Sequence, residues 1–568
     1  MTAPHPLDLS HHYSYATKNK KPSSVKNFYK YFQIPGIANF AGGLPHASYF
    51  PYDTLEAKVA LPQRFQSNDK NPHSVRVTVP KEDHTKDLAR KIDLTTALQY
   101  GTAGGYPPLS NFLRSFARDH LHPNVPYRDG PEVLLTCGST DGFAKAIEAF
   151  TNIWNPDRDW IQQREGVLCE EFAYMNAIQT VAPRGLNVAG VVMDGQGMLA
   201  SGKGGLQDVL ENWDFRLGRR PHLMYTVPTG QNPTGGTLSV ERRKEIYALC
   251  QKYDVIIIED EPYWNLQFPS AYEKTIHHRG SSSEPNLYTK DYNAEGKSSG
   301  YAYLDSLVPS YLSIDIEGRV VRLDTFSKTI APGSRLGWIT AQPAIIERLT
   351  RITEVTTQQP SGFVQSLIAE MIVGQDDDDK SAKASKLVPG WHMDGWVRWL
   401  EGLRAGYETR MQAMCTILEE NKYLFHGSKS HDDWEVLDRV QMYDFVWPMG
   451  GMFAWIDVHF DTHPLRSQYT SEKLSQALWI HLTQKPHLCL VGPGTMFAAT
   501  PASAAKAHRY IRVAFAPMEV DEVAPLTQRL VEGFRSFWLR KDLDGLSGDD
   551  ETVDALDLPG VNFLGNGC

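Results

Sequence analysis

The run VVRLDTFSKTIAPGSRLGWIT, residues 320–340, decides how the fold and the site of this chain are interpreted. Its apolar start, residues 320–323, predicts a buried strand, and the strand ends in a polar turn that carries Lys328. A Pro-Gly turn and Arg335 follow, and residues 336–340 predict a second strand. The pattern therefore puts an amine that can act as a nucleophile at the end of a buried sheet.

The composition of the 568 residues argues against several classes of function. The 57 basic and 67 acidic side chains give a net charge of -10, which predicts no basic surface for nucleic acid or for an acidic membrane. The six cysteines lack CxxC pairs and histidine spacing, so they indicate neither a disulfide framework nor a zinc site. The sequence shows neither a signal peptide nor an apolar run of about 18 residues, and we expect a cytoplasmic protein.

Apolar runs that alternate with helical segments predict an α/β fold. Runs this apolar are typical of a mainly parallel sheet that is covered by helices on both faces. The apolar runs that precede residues 320–340 lie at residues 133–136, 167–169, 188–193, 223–227 and 255–258. A long helix and shorter strands after residue 390 predict a second, smaller α+β domain, to which we expect the N-terminal arm to contribute. The strand-like runs of that domain lie at residues 453–458, 488–491 and 511–515.

Changes in composition predict the domain boundaries. Polar segments without sustained periodicity indicate insertions, and the charge run at 376–380 indicates a solvated loop. We predict an N-terminal arm at 1–60, a polar insertion at 61–95, a large domain at 96–374 with an insertion near 274–312, an acidic loop at 375–390, a small domain at 391–540 and a flexible tail at 541–568.

Polar residues follow several predicted strands, at the edge where an open α/β sheet gathers its site. Gly138, Ser139 and Thr140 open a predicted helix, whose free N–H groups together with two hydroxyls can form a phosphate cradle. Ser139 and Thr140 are also ordinary helix caps, which is the alternative. The amide of Asn232 precedes Pro233 in a turn rich in Pro and Gly, and turn formation alone would account for it.

An acidic residue ends the strand predicted at 255–258. Burial of the Asp260 carboxylate requires a cationic partner, and Tyr263 could turn its hydroxyl toward the same point. A structural salt bridge is the alternative for Asp260, and a pair of solvent-exposed neighbours is the alternative for Lys328 and Arg335. Phosphate donors, an acid, a phenol, an amide and a lysine at one sheet edge together favour a site.

The order of these motifs resembles that of the fold-type I pyridoxal phosphate aminotransferases. Within that group it is similar to the fungal aromatic aminotransferases, which include 2-aminoadipate and kynurenine aminotransferases. The central motifs are GST (138–140), FAY (172–174), NPTG (232–235), EDEPY (259–263) and SKTIAPGSRLGW (327–338). The resemblance extends to AGGLP (41–45), the QY pair (99–100), PMGGMF (448–453) and IRVAF (511–515).

The resemblance implies a role for each site residue around pyridoxal 5'-phosphate. Lys328 would bind the cofactor covalently and then move a proton, while Asp260 would pair with the pyridinium nitrogen. Asn232 and Tyr263 would hydrogen-bond the ring oxygen, and Tyr174 would stack on the ring.

The same resemblance implies the phosphate and substrate contacts. The phosphate would be held by Ser139, Thr140, Thr325, Ser327 and Arg335, together with Tyr100 from a second subunit. Arg512 would clamp the substrate α-carboxylate through a bidentate pair. Gly43 would lie close to the substrate because it lacks a side chain, although a plain turn before Pro45 is the alternative.

These roles predict a homodimeric aminotransferase with an active site shared between subunits. It would pass an amino group between an aromatic amino acid, 2-aminoadipate or kynurenine and 2-oxoglutarate. A pyridoxal phosphate-dependent eliminating lyase on the same fold is the alternative. A ligand-sensing regulator fused to a DNA-binding module is more remote, because fewer than about 40 residues precede AGGLP. The arm carries Lys20, Lys21 and Lys26 where relatives have an arginine, so its contact with a distal carboxylate stays open.

Overall fold

A computed structural model describes residues 3–24, 40–64, 74–374, 390–429 and 435–546, together with residues 31, 34 and 36–38. Its strands are β1 Thr54–Ala60, β2 Ser74–Pro80, β3 Glu132–Thr136, β4 Gly166–Glu170, β5 Asn187–Val191, β6 Leu223–Thr226, β7 Ile256–Asp260, β8 Val320–Thr325, β9 Gly337–Ala341, β10 Tyr423–Lys429, β11 Glu435–Gln441, β12 Tyr443–Phe445, β13 Phe453–Val458, β14 Gly492–Pro493 and β15 Tyr510–Ala514. Its α-helices are α1 Tyr15–Asn19, α2 Leu94–Ala97, α3 Pro107–Ser115, α4 Ser139–Phe150, α5 Met175–Val181, α6 Leu206–Glu211, α7 Val240–Lys252, α8 Ser270–Arg279, α9 Ala302–Asp305, α10 Pro343–Glu354, α11 Gly362–Ile372, α12 His392–Glu420, α13 Ser471–Thr483, α14 Pro501–Ala507 and α15 Val523–Trp538.

The large unit is built on a sheet of strand order β3-β9-β8-β7-β6-β4-β5. The predicted apolar runs form these strands, and β5, β4, β6, β7 and β8 are parallel, which confirms the α/β prediction. Strand β9 runs antiparallel to both β8 and β3. The connection before it, residues 326–336, holds only two 3₁₀ turns, which is too short for the helical crossover that a parallel strand needs.

Strand β7 contributes alternate residues to two apolar cores. Ile256 and Ile258 belong to the core beneath α4 and α10, whereas Ile257 belongs to the core beneath α6 and α7. Successive side chains of a strand point to opposite faces, and both faces are covered here. This explains why the strand has a continuous apolar sequence and why its last residue, Asp260, is also buried.

The smaller unit is a four-stranded antiparallel sheet in the order β12-β13-β15-β14. Helices α12, α13 and α15 supply much of its apolar core. The prediction of a strand at 488–491 is wrong, and the pairing falls on Gly492–Pro493 instead. Leu488 has a φ of +49° and Leu490 is 79% exposed, so the run does not form a regular strand, although its last residue, Val491, is buried in the core.

Residues 3–20 lie on the large unit rather than on the smaller one. The N–H of Leu7 donates to the carbonyl of Glu317, and the N–H of Ser14 donates to the carbonyl of Ala149, both at 2.8 Å. The ring of Tyr13 also stacks on Phe150. These residues therefore do not make the contribution to the small domain that we expected from the arm.

The predicted insertions contain more regular structure than their polar composition indicates. Strand β2, inside the segment 61–95, pairs with β1 and buries Val77 and Val79, while α8 and α9 lie partly or wholly within 274–312. The acidic loop, apart from residue 390, and the tail after residue 546 lie outside the described residues. Within the part of the chain that is described, we find no helix with the length and apolar character to span a membrane.

Candidate active site

A cavity of about 170 Å³ lies at the carboxyl ends of the central strands. This is the edge at which parallel strands of an open sheet deliver polar side chains. The cavity brings together most of the residues that the sequence predicted. Its lining consists of Ser139, Thr140, Tyr174, Tyr225, Val227, Asn232, Asp260, Pro262, Tyr263, Thr325, Ser327, Lys328, Pro332 and Arg335.

Lys328 is held at this edge by the local structure that follows β8. It ends a 3₁₀ turn, Phe326–Lys328, and Phe326 is fully buried in an apolar core. The hydroxyl of Thr325 caps the turn by accepting from the N–H of Ser327 at 3.1 Å. The buried ring and the cap fix the direction in which the chain leaves the strand, and thereby the place of the lysine.

The opposite end of the cavity is suited to an anion. Gly138 caps α4, and no side chain caps this helix, so Ser139 and Thr140 are its first two residues rather than its caps. Their N–H groups lack partners within the helix. Arg335 donates to the hydroxyl of Ser327 at 3.2 Å and to the carbonyl of Cys137 at 3.1 Å. Helix N–H groups, hydroxyls and a guanidinium together form a phosphate cradle.

Gly138 allows Arg335 to approach the helix. Its φ of +95° is one that L side chains rarely adopt, and a Cβ at this position would lie 2.4 Å from Nη2 of Arg335. The backbone of Arg335 itself lies in the left-handed region, with a φ of +46°. The guanidinium of Arg335 therefore packs closely on the backbone of Gly138, and the geometry of the cradle depends on this contact.

Asp260 presents one unused oxygen to the cavity. Its Oδ2 accepts a hydrogen bond from the hydroxyl of Tyr225 at 2.8 Å, whereas Oδ1 is buried and has no hydrogen-bond partner within the described chain. Burial raises the pKa of Asp260 to about 7; the Tyr225 hydrogen bond, Arg322 and Lys328 oppose this rise, and the charge of Asp324 adds to it. The alternative of a structural salt bridge is not what the described residues show, because Arg322 pairs with Asp324 instead.

A group of buried charges lies behind Asp260, and sequence reasoning missed it. Arg322 donates two hydrogen bonds to Asp324, at 2.9 and 2.8 Å, and Arg243 pairs with Glu259 at 3.2 Å. All four side chains are buried. The signal was visible in the sequence, since an arginine inside the apolar run 320–323 requires a carboxylate once the strand is buried.

Three further predicted residues surround the cavity. Asn232 is buried and its Oδ1 accepts from Nη1 of Arg512 at 2.9 Å. The ring of Tyr263 lies edge-on to Phe453. The hydroxyl of Tyr174 accepts from the amide of Asn176 at 2.7 Å.

Arg512 on β15 links the smaller unit to the cavity. Its guanidinium carbon lies 4.3 Å from the ring centroid of Phe453 and 4.6 Å from that of Phe497. Two rings hold the planar group, and the bond to Asn232 fixes its direction. The arrangement presents a guanidinium that can bind a carboxylate next to the cavity.

Besides Arg512, which lies next to the cavity, two predicted residues lie outside it. Tyr100 is 57% exposed, and Gly43 is exposed, with no atom within 4 Å of the point that a Cβ would occupy. Of the arm lysines, Lys20 pairs with Glu148 at 2.8 Å, and Lys26 lies outside the described residues. Tyr225 lines the cavity and contacts Asp260, but it was not among the predicted site residues. The sequence feature that could have identified it is a tyrosine in a buried strand beside the strand of Asp260.

The chemistry of this lining fits pyridoxal 5'-phosphate. A helix N-terminus with Arg335 suits a phosphate, the unused oxygen of Asp260 suits a protonated ring nitrogen, and the amine of Lys328 suits an aldehyde.

Comparison with known proteins decides the family. Residues 222–530 match the family described as Aminotransferase class I and II. An aromatic amino acid aminotransferase of Schizosaccharomyces pombe is 32% identical over 530 residues, which are 92% of this chain and 96% of that protein. The chain belongs to the class I and II aminotransferases. The predicted resemblance, the fold-type I architecture and the reaction class are thereby confirmed.

Further relatives of this aminotransferase agree. The L-tyrosine:2-oxoglutarate aminotransferase atrD of Tapinella panuoides is 33% identical over 81% of this chain and 76% of its own length. The crystal structure of the aminotransferase Aro8 from Candida albicans has a TM-score of 0.73 and 30% identity, and the match covers 94% of this chain and 100% of that chain. The cofactor of this aminotransferase is pyridoxal 5'-phosphate, and its substrates are amino acids and 2-oxo acids.

We expect Gly138→Ala to weaken cofactor binding by about tenfold or more, equivalent to ~1.4 kcal/mol. The added Cβ would displace Arg335 from the anion cradle and would strain a backbone with a φ of +95°. Titration of the apoenzyme with pyridoxal phosphate measures the effect. Gly333→Ala is the control, because nothing lies within 4 Å of its Cβ position and it is in the same connection as Arg335. Equal affinities in the two variants would contradict the role given to Gly138.

We expect Asp260 to make the stability of the apoenzyme depend on pH. The folded carboxyl keeps its proton up to about pH 7, whereas the unfolded one releases it near 3.8, so stability falls as pH rises between these values and levels off above them. The slope from this residue is at most about 1.4 kcal/mol for each pH unit. Urea unfolding of the apoenzyme and of Asp260→Asn should therefore show a difference in the free energy of unfolding that grows as the pH rises over this range.

The exposed Asp461 provides the control for this measurement, since its side chain is 90% accessible. Asp461→Asn should leave the pH dependence of unfolding as it is in the parent apoenzyme. Parallel stability curves for the parent and Asp260→Asn between about pH 4 and pH 7 would rule out a raised pKa for Asp260.

Proposed function

We propose that this aminotransferase transfers the amino group of an aromatic amino acid to 2-oxoglutarate. The observation that carries the proposal is the position of Arg512, which is held between Phe453 and Phe497 and directed by Asn232 at the cavity. A carboxylate bound there would lie beside two aromatic rings. The relatives named as aromatic amino acid and L-tyrosine:2-oxoglutarate aminotransferases support the same substrate class.

The proposed roles of the residues follow from their chemistry. When bound, pyridoxal phosphate supplies an electron sink for the carbanion that an amino acid forms on losing its α-proton. Lys328 is the amine among the lining residues, so it can take and return that proton. Asp260 supplies the negative charge that a protonated ring nitrogen requires, and the cradle at Ser139 and Arg335 holds the phosphate.

One carboxylate clamp serves both half-reactions. The amino acid and the 2-oxo acid share an α-carboxylate, which Arg512 can bind through two parallel hydrogen bonds. The stacking on Phe453 and Phe497 restricts the guanidinium to one plane, so the side chain loses little conformational freedom when it binds a carboxylate. The same residue therefore positions whichever substrate is present.

The proposal is tested by activity with a panel of phenylalanine, tyrosine, tryptophan, kynurenine and 2-aminoadipate, with 2-oxoglutarate as acceptor. We expect the aromatic substrates to give glutamate at the highest kcat/KM and Lys328→Ala to abolish turnover of all of them. Turnover of amino acid by Lys328→Ala would remove the lysine from the reaction. Release of ammonia without an acceptor would instead favour the eliminating lyase.

We expect Arg512→Lys to raise the KM of both the amino acid and 2-oxoglutarate by about tenfold or more. A lysine can neither form two parallel bonds to a carboxylate nor stack in the same way between two rings, and loss of one charged hydrogen bond accounts for ~1.5–3 kcal/mol. Steady-state kinetics with each substrate varied measures the change. The control is Arg509→Lys, since Arg509 is partly exposed and pairs with Asp457 instead. A rise in KM for only one substrate would argue against a shared clamp.

We further propose a homodimer in which Tyr100 reaches the cavity of the other subunit. Tyr100 is 57% exposed, and the preceding Gln99 lines a surface cavity together with Tyr52 and Phe363, whose rings are also exposed. A surface of this kind supports a subunit interface. Light scattering on the purified enzyme would establish whether it is a dimer.

A mixed dimer distinguishes a contribution across subunits from one within a subunit. We expect Tyr100→Ala and Lys328→Ala to recover activity when co-assembled, because one site of each mixed dimer then has both Lys328 and Tyr100. If Tyr100 acts within its own chain, both sites of a mixed dimer stay defective. Activity that does not rise above that of the separate variants would reject the shared site.

We also propose that the enzyme works in a reducing compartment, the cytosol. The described cysteines, Cys137, Cys169, Cys250, Cys415 and Cys489, are all free thiols, which supports this location. Subcellular fractionation of the host cells would test it, and recovery with sealed organelles would contradict it.

A further inference from the structure

Two adjacent histidines of the N-terminal segment contact the turn that precedes β7. Nε2 of His11 lies 2.6 Å from Oδ2 of Asp254, and Nε2 of His12 lies 3.0 Å from Oδ1 of the same residue. The three ligand atoms that these residues offer lie within 4.8 Å of one another. None of these residues lines the cofactor cavity.

The distances suit a tetrahedral divalent cation. Zinc binds imidazole nitrogen and carboxylate oxygen at about 2.0–2.2 Å, which separates neighbouring ligand atoms in a tetrahedron by roughly 3.3 Å. The two separations between imidazole nitrogen and carboxylate oxygen, 2.6 and 3.0 Å, are shorter than this value, so the side chains would have to move apart slightly to admit the ion. Two imidazoles and one carboxylate leave the fourth position to water, which the exposed His11 admits.

His12 provides an independent indication. Its side chain is 4% exposed, and its Nε2 lies 3.0 Å from Oδ1 of Asp254 without the alignment of a hydrogen bond to any described group. An unsatisfied buried nitrogen lowers stability, and a bound cation would satisfy it.

The neighbouring groups leave this nitrogen free to bind. His222 stacks on the ring of His12 with centroids 5.3 Å apart, but its own Nε2 lies 3.0 Å from the carbonyl of Phe150. Arg319 lies 3.4 Å from Oδ1 of Asp254. Its guanidinium is also paired with Glu317 and donates to a backbone carbonyl, so much of its charge is already balanced.

We propose that His11, His12 and Asp254 form a Zn²⁺ site that fastens the N-terminal segment to the large unit. The site would join two residues near the N-terminus to Asp254, which is far away in sequence. Asp254 precedes β7, the strand that ends at Asp260. It is independent of the proposed substrate, since it makes no contact with the cavity.

The site is tested by calorimetric titration of the chelator-treated holoenzyme with ZnCl₂. We expect one high-affinity Zn²⁺ per chain, a loss of affinity of about tenfold or more in His11→Ala and in Asp254→Asn, and no change in His5→Ala. His11 and His5 are both exposed, so neither change disturbs a core. Asn tolerates the φ of +55° at position 254, and the visible absorbance of the bound cofactor reports that each variant is folded.

Two further measurements locate the ion. Co²⁺ in place of Zn²⁺ should give visible d–d bands in the parent enzyme that are lost in His12→Ala. Zn²⁺ should also slow proteolysis within residues 3–20 of the parent and have no effect in His11→Ala. Zn²⁺ affinity that is the same in the parent, His11→Ala and Asp254→Asn would overturn the proposal, as would the absence of binding to the parent.

Discussion

A carboxylate with one unsatisfied oxygen at the end of a fully buried strand is the constraint around which the large unit is built. Every residue of β7 is buried, and Asp260 ends it. Tyr225 on the adjacent β6 satisfies one oxygen, and the other has no partner in the described chain. Under the role proposed for Asp260, a cationic ring nitrogen would complete an arrangement that otherwise lowers the stability of the apoprotein. Cofactor binding would then also stabilise the fold.

The charges behind this carboxylate explain how so many ionisable groups are tolerated in a core. Arg322 is held by two hydrogen bonds to Asp324, and Arg243 is shared between Glu259 and Glu261. Buried pairs of this kind are weak evidence for stability, but breaking one of them leaves an uncompensated charge. Their geometry therefore allows little movement. The electrostatic environment of Asp260 is set by a rigid layer of the sheet rather than by solvent.

Much of the sheet could be predicted because both of its faces are covered, which makes each strand a continuous apolar run. The direction of β9 could not, since it depends on the length of the connection and not on the pattern of the strand itself. The run at 488–491 misled because its leucines, Leu488 and Leu490, are apolar but exposed. Strand β2 was overlooked although Val75, Val77 and Val79 alternate with polar residues, because the surrounding segment is polar.

The site was predictable where residues follow strands in sequence, as Asp260 and Lys328 do. It was less predictable where contacts join separate elements, and the pairs Tyr225–Asp260 and Arg243–Glu259 belong to that class. A sequence motif also does not show whether its residues are exposed in the folded chain. Gly43 and Tyr100 stand within recognisable motifs, yet one chain alone does not bring them to the cavity, and their roles stay predictions.

The reversal of the chain between β8 and β9 has a consequence for how the site can change. Lys328 and Arg335 are carried by the same short connection, 326–336, whose two ends are tied to adjacent strands. Any insertion or deletion in this loop would shift Lys328 and Arg335, the proposed covalent anchor and phosphate counter-charge, relative to each other. Sequence length here is thus as strictly constrained as residue identity, and the variation that alters substrate range has to occur elsewhere, in segments that can lengthen or shorten without moving the cofactor.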